Sequence, residues 1–334
     1  MERRIFGRTG VSLGVLGFGC GAVGGLMVRG SAADQERAVA RAIDAGVNYF
    51  DTAPDYGSGE SETVLGRVLR SLRAGVGGAD VVVGTKVRLR EAAPGRIAAE
   101  ITASLETSLQ RLGRDSVDLF QLHNPIASAG APANLSDETV LDEVIPAFER
   151  LQAEGKFRYL GITAIGDTPS MHRIVASGLI DSAQVPLNLL NPSPVRGLPR
   201  GFPASDYGQL MLRARDNGVG IIGIRVLAAG ALAGLETRHP TAMPSVPPIG
   251  SSPSYAADLA HARQFLPLVQ EGHVGSLAEA AMRYAISNDS MTTTLVGFSD
   301  LDHLEAAIAA FSKGKLPPAA LARAAQLQAR IAGG

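Results

Sequence analysis

Short apolar runs alternate along this chain with longer segments in which apolar residues recur every three to four positions. Runs rich in Val, Ile, Leu and Phe predict strands at Val15–Phe18, Val47–Thr52, Val81–Thr85, Val117–Leu122, Tyr159–Thr163, Ser182–Val185, Gly220–Ile224 and Thr293–Val296. Between them, helical periodicity spans Asp34–Asp44, Glu60–Leu72, Arg96–Arg111, Asp137–Glu154, Ser205–Asn217, Leu277–Ser287 and Asp300–Phe311. Asp34 and Ser276 suit N-cap or first-turn positions, where a side-chain oxygen meets free backbone donors. Regular alternation of strand and helix is the pattern of repeated βα units over a parallel sheet. Eight such strands predict a closed (β/α)8 barrel. The segment Arg4–Ser12, with turn residues at Gly7 to Gly10, predicts a β-hairpin capping one end, and the Ala-rich tail Pro317–Ile331 predicts a helix packed outside the barrel.

Loop lengths add a second signal. Pro125–Ser136, Asn191–Ala204 and Glu236–Ser254 are long, rich in Pro or Gly, and each follows a strand rather than a helix. Connections of that length in a compact domain are usually binding loops or lids. All three are expected over the face formed by the carboxyl ends of the strands.

Composition narrows the class without naming a function. A chain of 334 residues can form one barrel domain over 1–334, and nothing in its middle reads as a linker. Apolar residues make up 46% and charged residues 19%, enough for a large core, and a formal charge of −1 leaves no footprint for nucleic acid. The one cysteine, Cys20, excludes a disulfide framework within the chain and suits a reducing, cytoplasmic setting, where it is expected to be a small buried apolar residue. The amino terminus lacks the apolar core of a secretory signal. The longest apolar run, Gly218–Leu235, is interrupted by glycines and by Arg225, whose insertion into a bilayer would cost ~3 kcal/mol, so no membrane span is expected. Oligomeric state is left open.

Reactive groups cluster at the predicted strand ends. One strand ends in Asp51, with Tyr56 five residues on; another ends at Lys86; a third runs into His123. The carboxyl ends of barrel strands share one face, where barrel enzymes build their sites. Taken singly, Asp51 serves as a turn cap, Tyr56 as a loop aromatic, Lys86 as a snorkelling strand end and His123 as a turn partner. Together they describe a phenol proton donor: Lys86 as a cation would lower its pKa from the usual ~10, Asp51 would hold Lys86 charged, and His123 would bond the same carbonyl oxygen. A metal-dependent hydrolase would want several more His and carboxylates at strand ends. Gly19, Gly21 and Gly24 spell GxGxxG, but no helix opens at the third glycine, as a dinucleotide fingerprint requires, so the segment reads as a flexible first loop.

These residues resemble the aldo-keto reductase superfamily. The resemblance is carried by FDTAPDYGSGESETVLG, GTK and QLH, and extends from RIFGRTGVSLGVLGFG through KFRYLGIT and AQVPLNLL to TTLVGFSDLDHLEAA. It implies a TIM barrel that binds NADP(H) or NAD(H) without a Rossmann domain, with Asp51, Tyr56, Lys86 and His123 as a catalytic tetrad and Tyr56 as general acid. The implied activity is hydride transfer between the cofactor and an aldehyde, ketone or sugar-type alcohol; the alternative is a non-catalytic or redox-sensing binding subunit on the same barrel. Implied cofactor positions are Thr163 and Gln184 beside the carboxamide, then Ile224, Arg225, Leu227, Gly297, Ser299, Asp300 and His303. Ile224 stands where relatives often place a stacking aromatic. Arg225 then points toward cofactor phosphate or substrate, or is a salt-bridged barrel residue. Asp300 stands where relatives often carry a basic residue; a carboxylate there favours a ribose 2′-hydroxyl over a 2′-phosphate, or simply caps the helix. NADP is the family habit, and Asp300 tilts the expectation toward NAD.

Overall fold

Every residue of Tyr49–Asp51, Val82–Val87 and Ser182–Pro186 is buried, as uninterrupted strands demand when one face turns into a barrel and the other lies against helices. The structure is a computed structural model describing residues 1–75, 81–90, 95–128, 134–234 and 236–331. Two short strands, β1 (Arg3–Ile5) and β2 (Ser12–Gly14), precede β3 (Leu16–Gly19), β4 (Tyr49–Asp51), β5 (Val82–Val87), β6 (Val117–Leu122), β7 (Phe157–Thr163), β8 (Ser182–Pro186), β9 (Gly220–Ile224) and β10 (Thr293–Gly297). Strands β3 to β10 pair in parallel in sequence order, and β10 pairs back onto β3 to close the barrel. All eight barrel strands fall where the apolar runs place them.

β1 and β2 form the expected antiparallel hairpin, with Arg3 opposite Gly14. It plugs the amino-terminal end of the barrel. Phe6, 1% exposed, packs with Leu13, Tyr49, Val82, Leu119 and Ile222 in a core layer of its own. The Arg4 guanidinium donates to the carbonyls of Ile286, Asn288 and Met291 at 2.8, 3.0 and 2.7 Å. The tail helix Pro318–Ile331 lies outside, with Ala320, Ala324, Leu327 and Ile331 against Leu189, Phe265 and Leu268.

Helices differ from the sequence reading in several places, including the unpredicted helices Leu26–Arg29, Tyr255–Arg263 and Pro267–Gln270. The segment expected as Ser205–Asn217 is helical only over Leu210–Asp216, because Gln209 is left-handed (φ 60°) and the residues before it bond to loops instead, Tyr207 N to Ser193 Oγ at 2.9 Å and Ser205 N to the Gly250 carbonyl at 3.0 Å. Asp137–Ala153 is interrupted by a π-helical stretch at Val140–Val144. A nine-residue helix, Thr168–Ala176, is capped by Asp167 and too short for its period to stand out. Among the described residues no helix is long and apolar enough to cross a membrane; the longest apolar run becomes β9 and then 3-10 turns broken at Ala229 and Gly230. The three long loops all leave carboxyl strand ends, although residues 129–133 of the first lie outside the described residues.

Because Phe6 is the central contact of the layer closing the barrel floor, Phe6→Ala is expected to destabilise the fold by ~3–5 kcal/mol. Urea denaturation of wild type and variant measures this directly. A loss below ~1 kcal/mol would mean that the hairpin is an appendage rather than part of the core.

Candidate active site

Period-two alternation puts Tyr49 and Asp51 of β4 on one face, and the barrel turns that face inward. Gly84 and Lys86 of β5 do the same, Lys86 sitting in register with Gln121 of β6. Lys86 is fully buried and Asp51 is 2% exposed. The ammonium donates to Asp51 Oδ1, and to the Thr52 carbonyl at 2.8 Å. The other carboxylate oxygen, Oδ2, accepts from the Tyr49 hydroxyl at 2.8 Å, Gln184 Nε2 at 2.7 Å and Gln121 Nε2 at 3.2 Å. Gly84 makes this possible, since a Cβ there would lie 2.8 Å from the Tyr49 hydroxyl.

Tyr56 stands on the turn after β4, partly open to the cleft. Lys86 Nζ lies 5.0 Å from its ring centroid, and the His123 ring meets it edge-on at 5.9 Å. The carboxylate, amine, phenol and imidazole named from the sequence are therefore brought together.

Their protonation follows from burial and charge. Desolvation disfavours the Lys86 ammonium, but Asp51 and Tyr56 outweigh it and hold the group above the ordinary lysine value. For Tyr56 the sequence reading emphasised Lys86, which does pull the phenol down; burial pushes harder in the opposite direction, and the net shift is upward. Tyr56 is thus a neutral phenol, the form that can give a proton. Burial, then Lys86 and Arg88, depress His123 well below 6.5, leaving it neutral at physiological pH. Cys20 is fully buried with its thiol pushed up by burial, as an inert core residue should be.

The positions expected to hold a nicotinamide cofactor are divided. Thr163 Oγ1 at the end of β7, Gln121 Oε1 and His123 Nδ1 are buried polar atoms without a partner. Such atoms cost stability unless something bonds them, and a carboxamide, able to donate and accept, fits that set. Gln184, by contrast, gives its amide nitrogen to Asp51. Ile224 and Leu227 are half-buried at the end of β9. At the far rim Ser299 donates to the Gly24 carbonyl at 2.8 Å, pinning the first glycine-rich loop beside Gly297. Asp300 caps its helix through the His303 amide at 2.8 Å and also lies 3.2 Å from His239 Nε2. Beside it a cleft of about 620 Å³ is lined by Arg29, Arg238, His239 and Tyr255. Arg29 and Arg238 strap its walls together by donating to the carbonyls of Ala22 and Thr241, and of Val23 and Met243. Among the described residues no group of three His, Cys, Asp or Glu could hold a metal ion.

Tyr49, Gln121 and His239 were not legible as site residues. The first two had a signal: each lies two positions before an identified strand-end group, Asp51 or His123, and so faces the same way. His239 lies in an irregular loop and had none.

A closed parallel barrel with a buried Lys–Asp pair under a tyrosine and a histidine, and unspent polar atoms that suit a carboxamide, defines a dinucleotide-dependent oxidoreductase of the barrel type. The model of the aldo/keto reductase family matches residues 15–329, and the chain belongs to that family. It is 28% identical to L-galactose dehydrogenase of Arabidopsis thaliana over 94% of this chain and 89% of that protein. It is 27% identical to L-glyceraldehyde 3-phosphate reductase of Escherichia coli, over 91% and 86%. Among solved structures, the holo form of an aldo-keto reductase from Bacillus halodurans superposes with a TM-score of 0.69 at 25% identity, covering 99% of this chain and 96% of that one. The protein is an oxidoreductase that uses a nicotinamide cofactor on small carbonyl or alcohol substrates.

The depressed His123 carries a pH signature. As pH falls below ~6.5 the unfolded chain takes up this proton before the folded one, so stability is lost downward from that pH, by up to ~1.4 kcal/mol per pH unit until the folded imidazole also titrates. Denaturation midpoints at pH 7 and pH 5.5 should separate by less in His123→Gln than in wild type. Identical separations would show that the imidazole titrates normally in the fold.

Proposed function

We propose that this enzyme reduces an aldehyde or ketone, or in reverse oxidises the corresponding sugar-type alcohol, with Tyr56 as the general acid and base. When bound, the nicotinamide dinucleotide supplies or accepts the hydride at the carbonyl carbon. The chain's own groups handle the oxygen. Tyr56, neutral and facing the cleft, donates its proton to the carbonyl oxygen as negative charge develops there. Lys86 stabilises the phenolate left behind, and Asp51 keeps Lys86 charged in a site that would otherwise neutralise it. His123, neutral, donates a hydrogen bond to the same oxygen and orients the carbonyl. The observation carrying this reading is the approach of both the buried Lys86 ammonium and the edge-on His123 ring to the Tyr56 ring.

Thr163 at the end of β7 and Ile224 and Leu227 at the end of β9 are assigned to the nicotinamide end, and Gly297, Ser299, Asp300 and His303 to the adenosine end. Support for a sugar-type or short hydroxylated carbonyl comes from relatives named for L-galactose and L-glyceraldehyde 3-phosphate. A carboxylate at Asp300 supports NAD at least as strongly as NADP; one relative, from Escherichia coli, is named as an NADH-specific methylglyoxal reductase.

Tyr56→Phe is expected to lower kcat by ~10²–10⁴-fold while the cofactor Kd stays within about twofold of wild type, because only the proton donor is removed. Steady-state turnover of a carbonyl panel, paired with fluorescence titration of cofactor, checks both halves. Turnover within a few fold of wild type would assign the proton transfer elsewhere. At the adenosine end, Asp300→Ser keeps a helix-capping oxygen but removes the charge. It should raise the affinity for NADP relative to NAD by about fivefold, the scale of a screened surface charge contact. A wild type already favouring NADP a hundredfold would remove Asp300 as the discriminating residue.

A further inference from the structure

Two arginines, Arg88 and Arg225, follow barrel strands that lie opposite one another in the closed sheet. Arg88 is the first residue past β5, and with Arg90 it shares a single carboxylate, Asp55. Arg90 Nη2 bonds Asp55 Oδ1 at 2.7 Å. Arg88 Nε lies 2.9 Å from Asp55 Oδ2 but is not aimed at it, and is buried with its proton unspent. Glu100 also approaches this wall, its Oε1 accepting from the Arg90 amide at 2.7 Å, which leaves the Arg88 Nε as the unspent donor here.

Arg225 is the first residue past β9, on the wall opposite. Its Nη1 donates to the Pro247 carbonyl at 3.2 Å, and among the described residues it forms no ion pair. It and Tyr56 lie close enough for each to shift the other's titration, and Arg238, Asp258 and Tyr207 also act on it. Asp258 is fully buried, accepts from Ser251 at 2.8 Å, and is itself pushed toward its neutral form by burial. Arg238 spends its donors on carbonyls, and among the described residues neither it nor Arg225 forms an ion pair.

The backbone shows that this arginine is held on purpose. Arg225 is left-handed (φ 59°), a conformation that a side chain with a Cβ adopts only where its surroundings impose it. The carbonyl of Arg225 accepts from Asn188 Nδ2 at 2.8 Å, and Asn188, 1% exposed, is itself held by the amides of Leu190 and Asn191 on its Oδ1. Strain of this kind gathers at ligand clamps.

We infer that the carbonyl substrate is anionic, carrying a carboxylate or phosphate a few atoms from the reacting carbon, and that Arg225, with Arg88 on the opposite wall, binds that group while Tyr56 meets the carbonyl. The inference rests on the carbonyl-reducing function proposed above and adds the substrate class. Guanidinium is the side chain suited to either anion, since its fork of donors matches both geometries. The anion takes no part in the bond changes: hydride reaches the carbonyl carbon, the proton reaches its oxygen, and the substituent leaves as it entered.

The test uses matched pairs on the full-length enzyme with saturating reduced cofactor: 4-oxobutanoate against butanal for a carboxylate, and glyceraldehyde 3-phosphate against glyceraldehyde for a phosphate. The expected result is a kcat/KM at least thirtyfold higher for the anionic member of one pair, which also tells the two anions apart. Arg225→Gln should reduce that preference at least tenfold, mainly through KM, and Arg225→Lys should restore part of it; Arg88→Gln should act in the same direction. High salt should narrow the preference in wild type. Equal kcat/KM within both pairs would overturn the inference while leaving carbonyl reduction intact. So would a raised cofactor Kd in Arg225→Gln with the preference unchanged, since the arginine would then serve the cofactor's diphosphate. Turnover of no member of either pair, nor of a wider carbonyl panel, would overturn the proposed function and this inference with it.

Discussion

The buried pair of Lys86 and Asp51 is the interaction on which the rest of the site depends. Two unit charges removed from water inside a barrel carry a desolvation penalty of several kcal/mol each, offset only if geometry is good and the remaining hydrogen-bonding capacity is used. Asp51 meets that condition with three neutral donors on one oxygen, Tyr49, Gln121 and Gln184, drawn from three different strands. Lys86 meets it with the carboxylate and the Thr52 carbonyl. The polar interior of the barrel is thus a single network, and Gly84 leaves the space it needs. Removing one member would leave a charge uncompensated, which explains why so much of the barrel's inward surface serves one ion pair.

That network sets the protonation of the groups above it. A cation fixed 5.0 Å from the Tyr56 ring centroid stabilises a phenolate once formed, but burial of the phenol costs more, so the resting group stays protonated. The same cation, with burial, keeps His123 neutral. One lysine therefore lies beside a phenol that burial keeps protonated and an imidazole that carries no charge. The arrangement is directional because the barrel rather than the loops holds Lys86.

The rim is built on a different principle. Its loops are tied by arginines bonding to carbonyls and by Ser299 bonding to Gly24, contacts that fix backbone without consuming carboxylates. Among the described residues the guanidiniums of Arg29 and Arg238 accordingly form no ion pair. Further along the rim Asp300 lies 3.2 Å from His239 Nε2 and 3.7 Å from His303 Nδ1.

The sequence by itself determined the barrel and which reactive groups gather at the ends of its strands. Eight buried strands must be written as apolar runs, because both faces are removed from water, and the reactive groups at their ends break those runs visibly at Asp51, Lys86 and His123. Family motifs then tied Tyr56 to them. Only the tertiary structure decided how the groups are spent. Gln184 turns to Asp51, Ser299 pins a loop, and Asp300 both caps a helix and approaches a histidine, because each meets partners from distant segments that no local pattern encodes. Helix 205–217 lost its first turn for the same reason: Ser193 and Gly250 bond its backbone at Ser205, Tyr207 and Gln209. Tyr56 had its pKa direction set by burial, a quantity defined only once strands and loops enclose it. Periodicity reports which way a residue faces; three-dimensional packing alone reports what it meets there.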